Sequence, residues 1–171
     1  NMIIKKVDFD TVIWVYESGC KRGLLEKLHA HQGGGFLHKA VSVFIFNTKW
    51  ELLLQKRGTR EYHSGGLWTN TACTHVYSGE GDKSAAERAL EKEMGMTGIP
   101  LFKVFQFIYK ADVGNNLTEY EFDKIFVGFS DKKPNPNLLK VDDFQFKLVP
   151  DIVRDIKMKP THYTEWFKTI L

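Results

Sequence analysis

His31, His38 and His75, together with Glu119 and Glu121, are the residues in this sequence with the greatest capacity for metal chemistry. Residues two apart on a strand point to the same side, so Glu119 and Glu121 are expected roughly 7 Å apart on one face. Tyr120 and Phe122 then turn the other way, toward a core. Taken singly, each histidine suits a polar surface or core role as well as a ligand role. Three imidazoles and two carboxylates together make a nitrogen and oxygen donor set that suits manganese, zinc or magnesium.

Two more groups carry chemistry. Cys73 stands two residues before His75 in Thr69-Asn70-Thr71-Ala72-Cys73-Thr74-His75. It is either a small buried apolar side chain or a thiol whose pKa is tuned by a neighbouring ligand site. Glu93 shares a helical stripe with Ala86, Ala89 and Leu90, while Glu87 and Glu91 fall on the solvated side. A carboxylate on an inward stripe needs a partner, because burying an unpaired charge is costly. An Arg or Lys salt bridge and a magnesium ion are both open.

The elements that must position these residues follow from patterning. Residues 12–16 alternate weakly and suit an edge strand; 22–31 carry basic residues; Gly33, Gly34 and Gly35 break the chain before His38. The apolar run 41–46, a turn at 47–50 and a second run at 52–55 read as a β-hairpin. After Gly65 and Gly66, residues 67–73 read as a short strand or extended loop. Residues 80–94, rich in Ala, Glu, Leu and Lys, form the clearest helix, with Gly95 placed to end it. Aromatic and β-branched residues predict strands at 104–109 and 120–129. Pro134 and Pro136 mark a loop, 144–148 a last strand, and 150–171 helix in two pieces. Strands, a central helix, more strands and terminal helices predict an α+β protein: a mixed sheet flanked by helices.

Length and composition bound the class. The 171 residues, 43% of them hydrophobic, suit one globular domain across 1–171. Asn1 precedes Met2 and reads as a residue left from expression. No apolar run reaches bilayer length and no signal pattern stands at the start, which predicts a cytoplasmic protein with no membrane partner. Cys20 and Cys73 make no disulfide framework. A net charge of +3 allows an anionic small ligand but supplies no basic stripe for nucleic acid.

The stretches Leu25-Glu26-Lys27, His31, Leu37-His38-Lys39-Ala40-Val41-Ser42-Val43-Phe44, Leu67-Trp68-Thr69-Asn70-Thr71, Cys73, His75, Gly79-Glu80, Glu93-Met94-Gly95, Phe107-Ile108-Tyr109-Lys110-Ala111, Glu119-Tyr120-Glu121 and Tyr163-Thr164-Glu165-Trp166-Phe167 follow one another in this order. Together they resemble the type I isopentenyl diphosphate isomerases. The resemblance runs from about residue 24 to the end of the chain. It implies a Nudix fold, with residues 74–96 as the Nudix box. That box departs from the hydrolytic pattern: Thr74 stands for its first Gly, Ala89 for the Glu of Arg-Glu, and Lys92 for one Glu of the following pair. Glu80, Arg88, Glu93 and Gly95 remain. Hydrolytic members use those carboxylates to hold metals and activate water.

The resemblance further implies double-bond transposition in a five-carbon diphosphate. Cys73 and Glu121 would transfer protons on opposite faces of the alkene, with Tyr109 assisting Glu121. Glu121 would also touch a manganese, zinc or magnesium ion held by His31, His38, His75 and Glu119. Trp166 would face the cation, Glu93 would hold magnesium against the diphosphate, and Lys27, Arg57 and Arg88 would bind that diphosphate. No flavin is implied. Glu61 and Ala89 stand where some members have a Lys and an Arg for the diphosphate, and Val76 replaces a Pro common after the metal-binding His. A monomer or weak dimer is expected. The alternatives are a Nudix hydrolase of a nucleoside or other diphosphate, which has no need of Cys73 or Trp166, and a catalytically silent Nudix-like binding domain.

Overall fold

The computed structural model describes residues 10–171, so Asn1 lies outside the described residues. The chain forms β1 (Thr11–Val15), β2 (Lys21–Glu26), α1 (Lys27–His31), β3 (His38–Phe46), β4 (Glu51–Arg57), β5 (Trp68–Thr69), β6 (Ala72–His75) and α2 (Asp82–Met94). It continues through β7 (Phe102–Asp112), β8 (Thr118–Phe129), β9 (Val141–Leu148), α3 (Val149–Met158), a 3-10 turn (Pro160–His162) and α4 (Glu165–Ile170). The nine strands among the described residues make one mixed, curled sheet. This is the α+β architecture expected, with the C-terminal helical region in two helices joined by the 3-10 turn.

Strand β3 organises the sheet. Parallel β8 runs along its whole length, from His38 opposite Glu121 to Phe46 opposite Phe129. Its other edge is shared: β1 meets it at His38, antiparallel β6 at residues 40–43, and β4 at Phe46 alone. The expected hairpin therefore opens after a single registered pair, Phe46 opposite Leu52. The cause is Thr71, whose hydroxyl accepts from the Ile45 N–H (2.9 Å) and donates to the Leu53 carbonyl (2.6 Å). A side chain thus satisfies one backbone group on each strand, as buried groups require, and holds the strands apart. Strand β4 pairs with β9 and β5 instead. The edge-strand reading of 12–16 also needs correction, because β2 lies outside β1.

Helix α2 is built as its sequence indicates, two residues shorter at the start than read. Asp82 sits in its first turn and Lys92 in its last, each matched to the helix dipole. Ala85, Ala86, Ala89, Leu90 and Met94 are buried, whereas Glu87 and Glu91 are exposed. Gly95 adopts the left-handed conformation (φ 63°), its N–H returning to the Glu91 carbonyl and that of Met96 to Leu90. Alternate residues of β3 divide the core. Val41, Val43 and Ile45 pack toward α2, while Phe44 packs with Ile152, Tyr163 and Phe167 of the C-terminal segment.

Candidate active site

Sheet periodicity and register put the chemistry on one face. His38, Ala40 and Ser42 alternate along β3; Ala40 lies opposite His75, Ser42 opposite Cys73, and His38 opposite Glu121. Across the next pair Glu121 faces Tyr109. Small side chains at Ala40 and Ser42 leave a cavity between these neighbours. Its wall includes Lys27, Gln55, Arg57, Cys73, His75, Glu93, Tyr109, Glu119, Glu121 and Trp166. His31 arrives from α1, which Glu26 caps by accepting from the Leu28 and His29 N–H groups. The turn after α1 presses against the start of β8. A Cβ on Gly35 (φ 75°) would lie 3.1 Å from the Thr118 carbonyl oxygen, so glycine permits the approach that brings His31 to Glu119.

One donor atom from each of His31, His38, His75, Glu119 and Glu121 lies within 4.8 Å of every other. His31 Nδ1 is 2.7 Å from the Lys27 carbonyl oxygen and His38 Nδ1 is 2.7 Å from that of Phe36. Those oxygens only accept, so each Nδ1 carries a proton and each Nε2 turns a lone pair inward. His38 Nε2 and His75 Nε2 stand 3.2 Å apart, and His75 Nε2 is 3.0 Å from Glu121 Oε1. His31 Nε2 and Glu119 Oε2 are buried with no hydrogen-bond partner. Converging lone pairs and orphaned buried acceptors fit a divalent cation, and neutral protein groups alone leave them unsatisfied.

The proton-transfer candidates sit in contrasting environments. Burial pushes the Cys73 thiol well above its ordinary pKa, and the nearby Glu93 charge pushes the same way, so the thiol keeps its proton at neutral pH. Burial and Glu119 both work to raise Glu121, but the imidazoles of His38 and His75 beside it outweigh them and hold it below the usual carboxylate range. Tyr109 donates its hydroxyl to Glu121 Oε2 at 2.6 Å, and burial keeps that phenol protonated. A thiol that holds its proton and a carboxylate that lacks one thus share a cavity, an acid and a base set apart by environment.

Glu93 reaches the same cavity from the last turn of α2. Its Oε2 accepts from Gln55 Nε2 at 2.6 Å and from the Cys73 N–H at 3.4 Å; among the described residues no Arg or Lys bridges it. Arg57 is held by the His63 carbonyl (3.3 Å) and lies 3.6 Å from Glu61, while its buried Nε has no partner. Lys27 lies beside it, over the Tyr62 ring at 4.8 Å. Trp166 is fixed by its Nε1–H, which donates to Asn70 Oδ1 at 3.2 Å, and by Arg57 stacked 5.3 Å from its ring centre.

Arg88 has different surroundings from Lys27 and Arg57. It lies outside the cavity wall. Its fork is taken by Glu80 (2.7 and 2.8 Å) and by the His75 carbonyl (2.9 Å), so it clamps the end of β6 to α2. Ala89, the box position that lacks its carboxylate, is buried in the core, and Lys92 is exposed.

A NUDIX domain model matches residues 36–162. The chain is 46% identical over 149 residues to isopentenyl-diphosphate Delta-isomerase 2 of Photorhabdus laumondii, covering 87% of this chain and 83% of that protein. It is 40% identical over 162 residues to isopentenyl-diphosphate Delta-isomerase 2 of Aromatoleum aromaticum, covering 95% and 85%. The chain belongs to the isopentenyl-diphosphate Delta-isomerase family within the Nudix proteins. Among solved structures, DR0079 from Deinococcus radiodurans aligns with TM-score 0.78 at 14% identity, over 94% of this chain and 96% of that one. The MutT protein of Methanosarcina mazei aligns with TM-score 0.64 at 17% identity, over 78% and 88%. These two show the shared fold.

Residues that sequence reasoning missed complete this isomerase-family site. Asp123 continues the alternation of Glu119 and Glu121 and accepts from Ser42 Oγ at 2.7 Å, a position the period-two pattern already marked. Gln55 and His63 come from a strand and a loop with no local signal. No helix among the described residues is long and apolar enough to cross a membrane.

Proposed function

We propose that this chain interconverts isopentenyl diphosphate and dimethylallyl diphosphate in isoprenoid biosynthesis, by protonating one end of an allylic unit and deprotonating the other. The observation that carries this reading is that Cys73 and Glu121 line one cavity, where burial favours the protonated thiol and the neighbouring imidazoles favour the ionised carboxylate. In that state Cys73 is the donor to an alkene carbon and Glu121 the acceptor from the carbon two bonds away; the reverse direction exchanges the roles. Tyr109 keeps Glu121 oriented through its hydroxyl. An alkene is a weak base, so a positioned acid and exclusion of water decide the rate. Trp166 offers an aromatic face to the developing tertiary cation, worth ~2 kcal/mol or more when desolvated.

His31, His38, His75, Glu119 and Glu121 would hold a manganese, zinc or magnesium ion. Such an ion supplies fixed positive charge that orients the two glutamates and keeps Glu121 ionised until it takes a proton. Glu93, joined by Gln55, would hold magnesium against the diphosphate, and Lys27 and the unpartnered Nε of Arg57 would receive the diphosphate oxygens. Glu61 lies within reach of both Arg57 (3.6 Å) and Lys140 (3.9 Å), so an incoming diphosphate would displace it from these cations.

Incubation with isopentenyl diphosphate and magnesium, without flavin, tests the reading. Dimethylallyl diphosphate is the expected product. Release of phosphate or a monophosphate in its place would assign the chain to hydrolysis.

A further inference from the structure

A fourth imidazole reaches the metal-fitting group but faces it differently. His63, on the loop between β4 and β5, is 5% exposed, and its Nε2 lies 2.7 Å from Glu119 Oε1. A carboxylate oxygen accepts, so Nε2 carries the proton. Nδ1, 3.1 Å from Ser64 Oγ, is then free to accept from that hydroxyl. His31 and His38 present lone pairs to the group, whereas His63 presents an N–H. Its chemistry there is that of a donor to a ligand, and a cation cannot take the same nitrogen.

The position of Glu119 depends on that donor. Oε1 accepts from His63 (2.7 Å) and lies 3.4 Å from His31 Nε2, which leaves Oε2, buried and unpartnered, as the free oxygen. His63 is also tied to the other parts of the cavity. Its carbonyl accepts from Arg57 Nη2 at 3.3 Å, and its ring meets Trp166 edge-on with centroids 6.0 Å apart. We propose that His63 is a positioning residue: it fixes the rotamer of Glu119 for a divalent cation and joins that carboxylate to Arg57 and Trp166 in one rigid unit. The proposal rests on the reading of the His/Glu group as a metal site.

The test is Mn2+ binding to the full-length protein after chelator treatment, followed by titration calorimetry. This readout is independent of turnover. His63→Ala is expected to weaken Mn2+ binding by roughly 10–100-fold, the usual cost of losing a partner to a ligand. His63→Gln keeps a side-chain N–H and should recover most of that loss, whereas His63→Phe keeps the ring volume without the donor and should not. Circular dichroism and the metal-free melting temperature confirm that the variants fold. Wild-type affinity in His63→Ala, or a Phe variant that binds as well as the Gln variant, would show that His63 only fills space and overturn the proposal. An unmodified protein that takes up no Mn2+ would overturn the metal-site reading itself, and this inference with it.

Discussion

At Cys73 the question is where the proton rests. Burial, reinforced by the Glu93 charge, raises the folded pKa above the value of an unfolded thiol. In Cys20→Ser protein, the ultraviolet thiolate signal of Cys73 should therefore emerge at higher pH in the native state than in urea. Because the raised pKa favours the native state only while the thiol is protonated, this contribution to stability is full below the unfolded pKa and fades as pH rises through the folded one. Coincident native and unfolded titrations would remove the acid role. Cys73→Ala should keep the fold and lose more than the roughly 10²–10⁴-fold typical of one acid–base group, because no water replaces the thiol in a dry site. Trp166 separates packing from charge stabilisation. Turnover should fall in the order Trp, Phe, Leu, with melting temperatures that do not follow it, since both replacements lose the hydrogen bond to Asn70. Equal rates for Trp166→Phe and Trp166→Leu would leave Trp166 as packing alone.

At the scale of elements, α2 and its cap were legible but for two residues at its start, because a helix is encoded by neighbours three and four apart and its end by one glycine. Gly95 carries more than local geometry: an added Cβ would meet the Asn135 carbonyl oxygen at 2.3 Å. Gly95→Ala combines left-handed strain of about 1–2 kcal/mol with that collision. It should lower the urea midpoint accordingly and displace Glu93 from Gln55. An unchanged midpoint would mean that the loop bearing Asn135 yields freely. The hairpin between β3 and β4 was misread for the opposite reason. Its two runs and turn have hairpin chemistry, and the Thr71 side chain that separates them comes from a segment with no local sign of that role. The partners of Arg88 were likewise not legible, since only the folded chain shows its fork occupied by Glu80 and His75.

For the whole molecule, five donor residues drawn from α1, β3, β6 and β8 would make cation binding a constraint on tertiary structure. A divalent ion at about a hundredfold over its dissociation constant should stabilise the native state by about 2.7 kcal/mol. For a chain of this size that is a rise of roughly 5–10 °C in melting temperature, reversed by a chelator. No rise with manganese, zinc or magnesium would empty the His/Glu group of its proposed role. The sequence by itself determined what short-range periodicity encodes: the α2 stripe that carries Glu93, the common face of Glu119 and Glu121, and the residue types of the donor set. Its ordered motifs also pointed to the family. Only the tertiary structure decided that His38 lies opposite Glu121 and Cys73 opposite Ser42, that Arg88 turns away, and that His63 enters with a proton. The reason is physical. Strand register and loop placement are set by contacts between residues far apart in the chain, and no local pattern carries them.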